Sequence, residues 1–324
     1  MRVPESWLLA AEEPARLVDV AKLHLVVVPV GEIGGLIARG AIEIGDRVGR
    51  IADPVRVGDV LTVDAAALDP VCMRPEDTAL VIHHEDADLM ICEKPAGVHV
   101  HPLGPYRDGT LLNRLLWACG ARPEDPWGAW RPSPMHRLDR AASGLIAIAK
   151  SAPIHDLVRR LLAAGTLDRR YVAMVTGRVH EDAGTVDAPL GRDPALDYRR
   201  RVVPIELGGQ RAVTHWTVRA RHADRTLLDV RLETGRTHQI RAHLASLGHP
   251  IVGDTLYARG TDAAPAIALH AIGLRFRHPR TGAEVCCASP IPAQFGDTPE
   301  VRKRSLNHFP GMSSRYHRTC TGMA

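Results

Sequence analysis

The chain has no uninterrupted apolar run near the roughly 20 residues that a membrane-spanning helix needs, which argues against a helical membrane protein. No secretory signal is expected either. The opening MRVPESWLLAAEEPARL sets Glu5, Glu12 and Glu13 around a four-residue apolar patch, where a longer apolar stretch and a cleavage site would be needed. None of the six cysteines has C-x-x-C spacing, and the adjacent Cys286 and Cys287 cannot easily bridge each other without strain. A reduced, cytoplasmic protein with no membrane association is the expectation. Lysine is scarce and occurs only at positions 22, 94, 150 and 303. The remaining basic residues are arginine, which suits bidentate phosphate contacts. With so much alanine and valine, a GC-rich coding sequence accounts for the same bias.

What is present is the material of a globular protein. The 324 residues are 45% hydrophobic and 24% charged, enough for a sizeable core and, at about 150 residues per domain, for two domains. The formal net charge is +4. It is unevenly spread: residues 1–80 carry 8 basic and 13 acidic side chains, a net of −5, and residues 297–324 carry 5 and 2, a net of +3. The middle therefore holds a net of +6, and an anionic partner should prefer the middle and the tail.

Patterning divides the chain into four parts. Residues 1–64 read as a small domain, with a hairpin in AIEIGDRV turning at Gly45-Asp46 and a short strand in VLTVD. Residues 65–79, with two prolines and no sustained period, read as a linker. Residues 80–296 hold the main domain. LVIHHEDADLMICEKPAG gives a strand-turn-strand pattern, GTLLNRLLWACG a helix capped by Thr110, and GLIAIAK a buried strand. SAPIHDLVRRLLAAG reads as a second helix. RRYVAMVTGRV, AVTHWTVRA and TLLDVRLET follow as strands, then a short helix in TGRTHQIRAHLASLGHP. Strands outnumber helices and short loops join many of them. The expected class is α+β, a mixed and largely antiparallel sheet with flanking helices and a central cleft. Residues 297–324 are polar and aperiodic and read as a disordered basic tail.

Three stretches hold polar residues that folding does not require. In MHRLDRAASGLIAIAK, Asp139 lies between Arg137 and Arg140 in a loop leading into an apolar strand, as either a turn former or a site residue. In LDRRYVAMVTG, Tyr171 begins an apolar strand; taken alone, it is a packed aromatic with a wet hydroxyl. In LETGRTHQIRAHL, the side chains of Arg236, Thr237, His238, Gln239 and Arg241 crowd the first turn of a helix. An arginine there opposes the helix dipole, which hints at anion contact against the alternative of a solvated face. His99-x-His101 is a weak metal signal without a third ligand, and no metal site is expected.

Taken together, H-R-L-D-x-x-x-S-G-L, R-Y-V-A-x-V-x-G and L-x-T-G-R-T-H-Q-I-R-x-H-L followed by G-H-P-I-x-G-D resemble the signature of the RluA-type RNA pseudouridine synthases. The resemblance runs from about residue 80 to 296 and includes EKPAGVHVHP and the closing HPRTGAEV…SPIPAQF. Residues 14–64 resemble the alpha-L RNA-binding domain, except that Gly31-Glu32 and Ile33-Gly34 stand where a Ser-Arg pair is usual. Ala141-Ala142, in place of a polar pair, is a further departure.

The resemblance implies an isomerase that breaks the bond from uracil nitrogen to ribose, turns the base and rejoins it through carbon 5. It implies Asp139 as the ionised carboxylate, a role that needs a cation close by if the group is buried. Arg241 would supply that cation, with Arg236 the second choice. Tyr171 would pack against the base, and Arg137 would help extrude it. Arg140, Arg236, His238 and Gln239 join Arg137 as expected RNA contacts. The implied partner is ribosomal or transfer RNA, bound by a monomer. The expected cofactor is none, in keeping with the lack of a Walker loop or a dinucleotide glycine motif. A non-catalytic RNA-binding protein using the same cleft is the alternative.

Overall fold

A computed structural model describes residues 5–8, 15–68, 72–103, 106–122, 130–258 and 266–295. The tail expected at 297–324 lies outside the described residues. The chain forms two compact units. One contains the residues up to Lys94 together with Val98–Arg140 and Ile146–Arg160; the other contains Pro95–Gly97, Ala141–Leu145 and the chain from Leu161 onward.

In the first unit, β1 (Glu5–Leu8), β2 (Ala15–Arg16), α1 (Leu17–His24) and α2 (Ile33–Ala38) are followed by β3 (Ile42–Ile44), β4 (Arg47–Val48), β5 (Pro54–Val55) and β6 (Val60–Val63). Strands run in the order β1-β6-β3-β4, with β2 paired to β5. The expected hairpin is present: Ile44 pairs with Arg47, and Gly45 takes the left-handed φ of 58° that the two-residue turn requires. Beyond a short helix α3 (Ala65–Leu68), β7 (Ile82–Glu85) and β8 (Leu89–Lys94) form an antiparallel pair. Next comes α4 (Leu111–Ala118), whose cap is reciprocal. The Thr110 hydroxyl accepts from the Asn113 N–H, and the Asn113 side chain accepts from the Thr110 N–H. The inward face of α4 does not form a core of its own. Leu116, Cys119 and Ala121 pack in one apolar cluster with Leu17, Leu25, Ile33, Leu36, Ile42 and Leu61. The Arg131 guanidinium locks this junction by donating to the carbonyls of Leu25 and Val28. β9 (Ser133–Pro134) pairs with β10 (Ser143–Ala149), and α5 (Ala152–Ala163) follows.

The second unit is built on β11 (Asp168–Thr176), β12 (Ala183–Asp187), β13 (Leu190–Asp193), β14 (Leu196–Val202), β15 (Val213–Arg221) and β16 (Arg225–Leu232). After these come α6 (Gln239–Ser246), β17 (Leu269–Arg277) and β18 (Glu284–Ala288). The order is β12-β15-β16-β11-β17, with β18 on the far side of β17, while β13 and β14 form a separate hairpin. All these pairs are antiparallel. The first residues of β10 lie parallel to β17, Ser143 beside His270 and Gly144 beside Ala271. The mixed, mostly antiparallel α+β class read from the sequence is the one observed.

That parallel contact depends on the absence of a side chain at Gly144. Its φ is 113°, and a Cβ there would lie 2.4 Å from the Ala271 carbonyl oxygen. Gly144→Ala should therefore cost about 3 kcal/mol or more, because both the backbone angle and the strand approach are violated. Urea denaturation of the two proteins measures this; a loss under 1 kcal/mol would mean that the β10–β17 contact relaxes freely.

Candidate active site

Asp139 sits half-buried in the loop between β9 and β10, with Arg137 and Arg140 exposed on either side. Beneath that loop lies Lys94, at the end of β8 and fully buried. Its ammonium donates to the carbonyl of Val98 (2.8 Å) and to the carbonyl of Arg140 (3.2 Å), the residue next to Asp139. Burial pushes the Lys94 pKa down to about 7, opposed by the Asp139 charge and aided by Arg114. His99 belongs to the same cluster: burial and then the charges of Arg140, Lys94 and Arg137 lower its pKa. Burial and Arg137 likewise lower that of His101. A loop with this much positive charge around one carboxylate is suited to receive a polyanion.

In the second unit, Tyr171 is 5% exposed on β11. The ladder to β17 slips between Arg170 and Tyr171: Arg170 pairs with Gly273, but Tyr171 pairs with Ala271. The extra residue is Ile272 of β17, so the bulge lies in β17 opposite Tyr171, while β11 itself keeps an unbroken register with β16. The sequence placed Tyr171 on a strand but carried no signal for the bulge.

Arg241 lies in the first turn of α6, and Asp254 holds it from two directions: Nε donates to Oδ2 at 2.7 Å and Nη2 to Oδ1 at 2.9 Å. Both residues are buried. The Tyr257 ring lies 5.1 Å from the Arg241 guanidinium carbon, and its hydroxyl meets His238 Nδ1 at 3.2 Å and accepts from the Arg200 N–H at 2.9 Å. His238 caps α6 in the left-handed region, φ 56° and ψ 21°, the one non-glycine residue with positive φ among those described. Strain of this kind gathers at functional sites.

Arg236 is exposed, and its Nε donates to the Arg211 carbonyl. Gln239 is 3% exposed with its amide fully engaged inside the protein. Its oxygen accepts from the Thr234 hydroxyl and the Arg236 N–H, and its nitrogen donates to the Val213 carbonyl and the Thr214 hydroxyl. It shapes the loop that carries Arg236. His243 is also buried; one ring nitrogen faces the Ala188 carbonyl and the other the Thr214 hydroxyl.

Sequence reasoning gave no role to Lys94, Asp254 or Tyr257. All three lie in quoted or adjacent motifs, E-K-P-A-G and G-D-T-L-Y, and a rare lysine before a Pro-Ala-Gly turn was the available signal.

A half-buried carboxylate flanked by arginines in one unit, and a buried tyrosine and a carboxylate-held arginine in the other, are groups of the kind that enzymes acting on polyanions use. Residues 88–246 match the family model described as RNA pseudouridylate synthase. An uncharacterized RNA pseudouridine synthase of Synechocystis sp. is 39% identical over 74% of this chain and 74% of its own length. Ribosomal large subunit pseudouridine synthase D of Zymomonas mobilis is 38% identical over 70% of this chain and 74% of its own. That of Vibrio vulnificus is 36% identical over 84% and 85%. Among solved structures, human RNA pseudouridylate synthase domain containing 1 shares the fold with a TM-score of 0.56, covering 69% of this chain and 89% of that one at 22% identity. The chain belongs to the RNA pseudouridylate synthase family. It is an isomerase that converts uridine in RNA to pseudouridine.

Two outcomes follow from the buried charges. Asp254→Asn leaves the Arg241 guanidinium without its countercharge and should cost about 3 kcal/mol in urea denaturation, with activity lost in parallel. For Lys94, the unfolded chain holds its proton to about pH 10.5 while the folded chain releases it near 7. The penalty on the folded state is full below pH 7 and is relieved as pH rises, so stability should climb between about pH 7 and 10. Lys94→Met should abolish that climb; identical pH profiles for the two proteins would refute the shift.

Proposed function

We propose that the chain isomerises specific uridines of large-subunit ribosomal RNA, as the relatives named ribosomal large subunit pseudouridine synthase D are named for doing. In this proposal Asp139 acts as nucleophile or as the stabiliser of a developing glycosyl cation at ribose C1′. The bond from N1 to C1′ breaks, the base turns, C5 bonds to C1′, and the C5 proton leaves while N1 gains one. Tyr171 packs against the base and relays a proton. Arg241 supplies the cation, fixed by Asp254. Arg137, Arg140, Arg236 and His238 contact RNA, and Gln239 contributes by holding the Arg236 loop. The observation that carries the proposal is Asp139 itself, half-buried over the anchored ammonium of Lys94.

The proposal includes a monomer that takes no cofactor and works in the cytoplasm. No helix among the described residues is long and apolar enough to cross a membrane. It also keeps residues 1–64 as an alpha-L-like domain, 65–79 as a linker and 80–296 as the synthase domain. The first of these is a weak RNA anchor, since Arg16 is paired with Asp19 and Arg47 with Asp53.

Asp139→Asn keeps the shape and removes the charge. Isomerisation should fall to background while RNA binding persists, measured by nucleotide-resolution pseudouridine mapping on ribosomal RNA from cells carrying either form. A near-normal single-turnover rate would exclude Asp139 from the chemistry. Modification confined to transfer RNA would exclude the ribosomal target.

A further inference from the structure

Arg169 stands apart from every other buried cation described above. It lies on β11 two residues before Tyr171, on the same face of the strand, and is only 8% exposed. Its Nε is buried with no hydrogen-bond partner. The nearby carboxylate is already taken: Asp168 accepts from Arg170 at 3.0 Å and from Arg231 at 3.2 Å, on the opposite face of the strand. The Arg169 guanidinium instead lies against the bare backbone of Gly235, where a Cβ would come within 2.6 Å of Nη1. Gly235 directly precedes Arg236 in the loop leading to α6.

Holding a guanidinium out of water without a partner costs free energy. Lys94, Arg131 and Arg241 each meet that cost with carbonyls or a carboxylate. For Arg169 the Nε has no acceptor within the protein, and a bound ligand can supply one. A neutral base carbonyl satisfies one donor but leaves the charge unmatched, whereas a phosphate supplies charge and two oxygens in the planar geometry a guanidinium prefers.

We propose that Arg169, cradled by Gly235, binds a backbone phosphate of the RNA substrate. It is a substrate-binding residue on the Tyr171 face of β11. The proposal rests on RNA being the substrate, which the activity of the unaltered protein tests separately.

The experiment measures binding of in vitro transcribed large-subunit ribosomal RNA by the full chain across a potassium chloride series. It compares the unaltered protein with Arg169→Met, Arg169→Lys and Gly235→Ala. Arg169→Met should bind about tenfold to a hundredfold more weakly at low salt. Its slope of log affinity against log salt should fall by about one unit, the signature of one lost phosphate contact. Arg169→Lys should restore the slope. Without RNA, the Arg169→Met melting temperature should stay level or rise, because an unmatched buried charge has been removed.

An unchanged slope in a folded Arg169→Met protein overturns the proposal. If that protein does not fold, Gly235→Ala decides, since its methyl group displaces the guanidinium tip without deleting it. Weakened binding then supports the phosphate contact and unaltered binding overturns it. Loss of pseudouridine formation in the unaltered protein would instead remove the RNA reading itself.

Discussion

A cation withdrawn from water must be met by something, and most of the functional architecture described here follows from how that requirement is handled. Lys94 is fully buried and spends its protons on two backbone carbonyls, one of them in the loop that carries Asp139. Its charge is therefore delivered to a fixed point rather than to a mobile surface side chain. Arg241 is held by both oxygens of Asp254, which removes its rotational freedom and aims what is left of its guanidinium. Each pair would be a poor choice for stability alone, because burying charge seldom gains over packing apolar groups. Both fix the position of a charge within the folded protein.

Backbone irregularities serve the same end. Gly144 lets β10 approach the β17 backbone with no side chain between them. Opposite Tyr171, β17 carries one extra residue, Ile272, that bulges out of the ladder. His238 is held left-handed at the start of α6, at a cost of about 1–2 kcal/mol for a residue with a Cβ. Its neighbours secure it: the His238 ring meets the Tyr257 hydroxyl, and the Gln239 amide oxygen accepts from Thr234 and Arg236 in the loop that precedes the helix while its nitrogen ties to β15. Further register shifts fall between Val218 and Ala220 on β15 and between Ile82 and His84 on β7.

The N-terminal segment is more than an appended module. Its α1 and α2 share an apolar cluster with Leu116, Cys119 and Ala121, and Arg131 closes the end of α1. The acidic balance read from its composition has a structural counterpart in Arg16 and Arg47, whose charges are spent on Asp19 and Asp53.

The sequence by itself determined the elements and their class. The Thr110 cap, the Gly45-Asp46 hairpin, the buried run 144–149 and the period of the β11, β15 and β16 strands are local signals, set by side-chain alternation and turn chemistry within a few residues. The resemblance of its three motifs to the RluA-type synthases, more than residue patterning alone, pointed to Asp139, Tyr171 and Arg241. Only the tertiary structure decided the partners. Asp254 is 13 residues from Arg241 in sequence, Arg140 is 46 residues from Lys94, and the β17 bulge meets Tyr171 only because β17 lies beside β11. Hydrogen bonds and ion pairs act through space over about 3 Å, and no spacing along the chain encodes which distant groups will come that close.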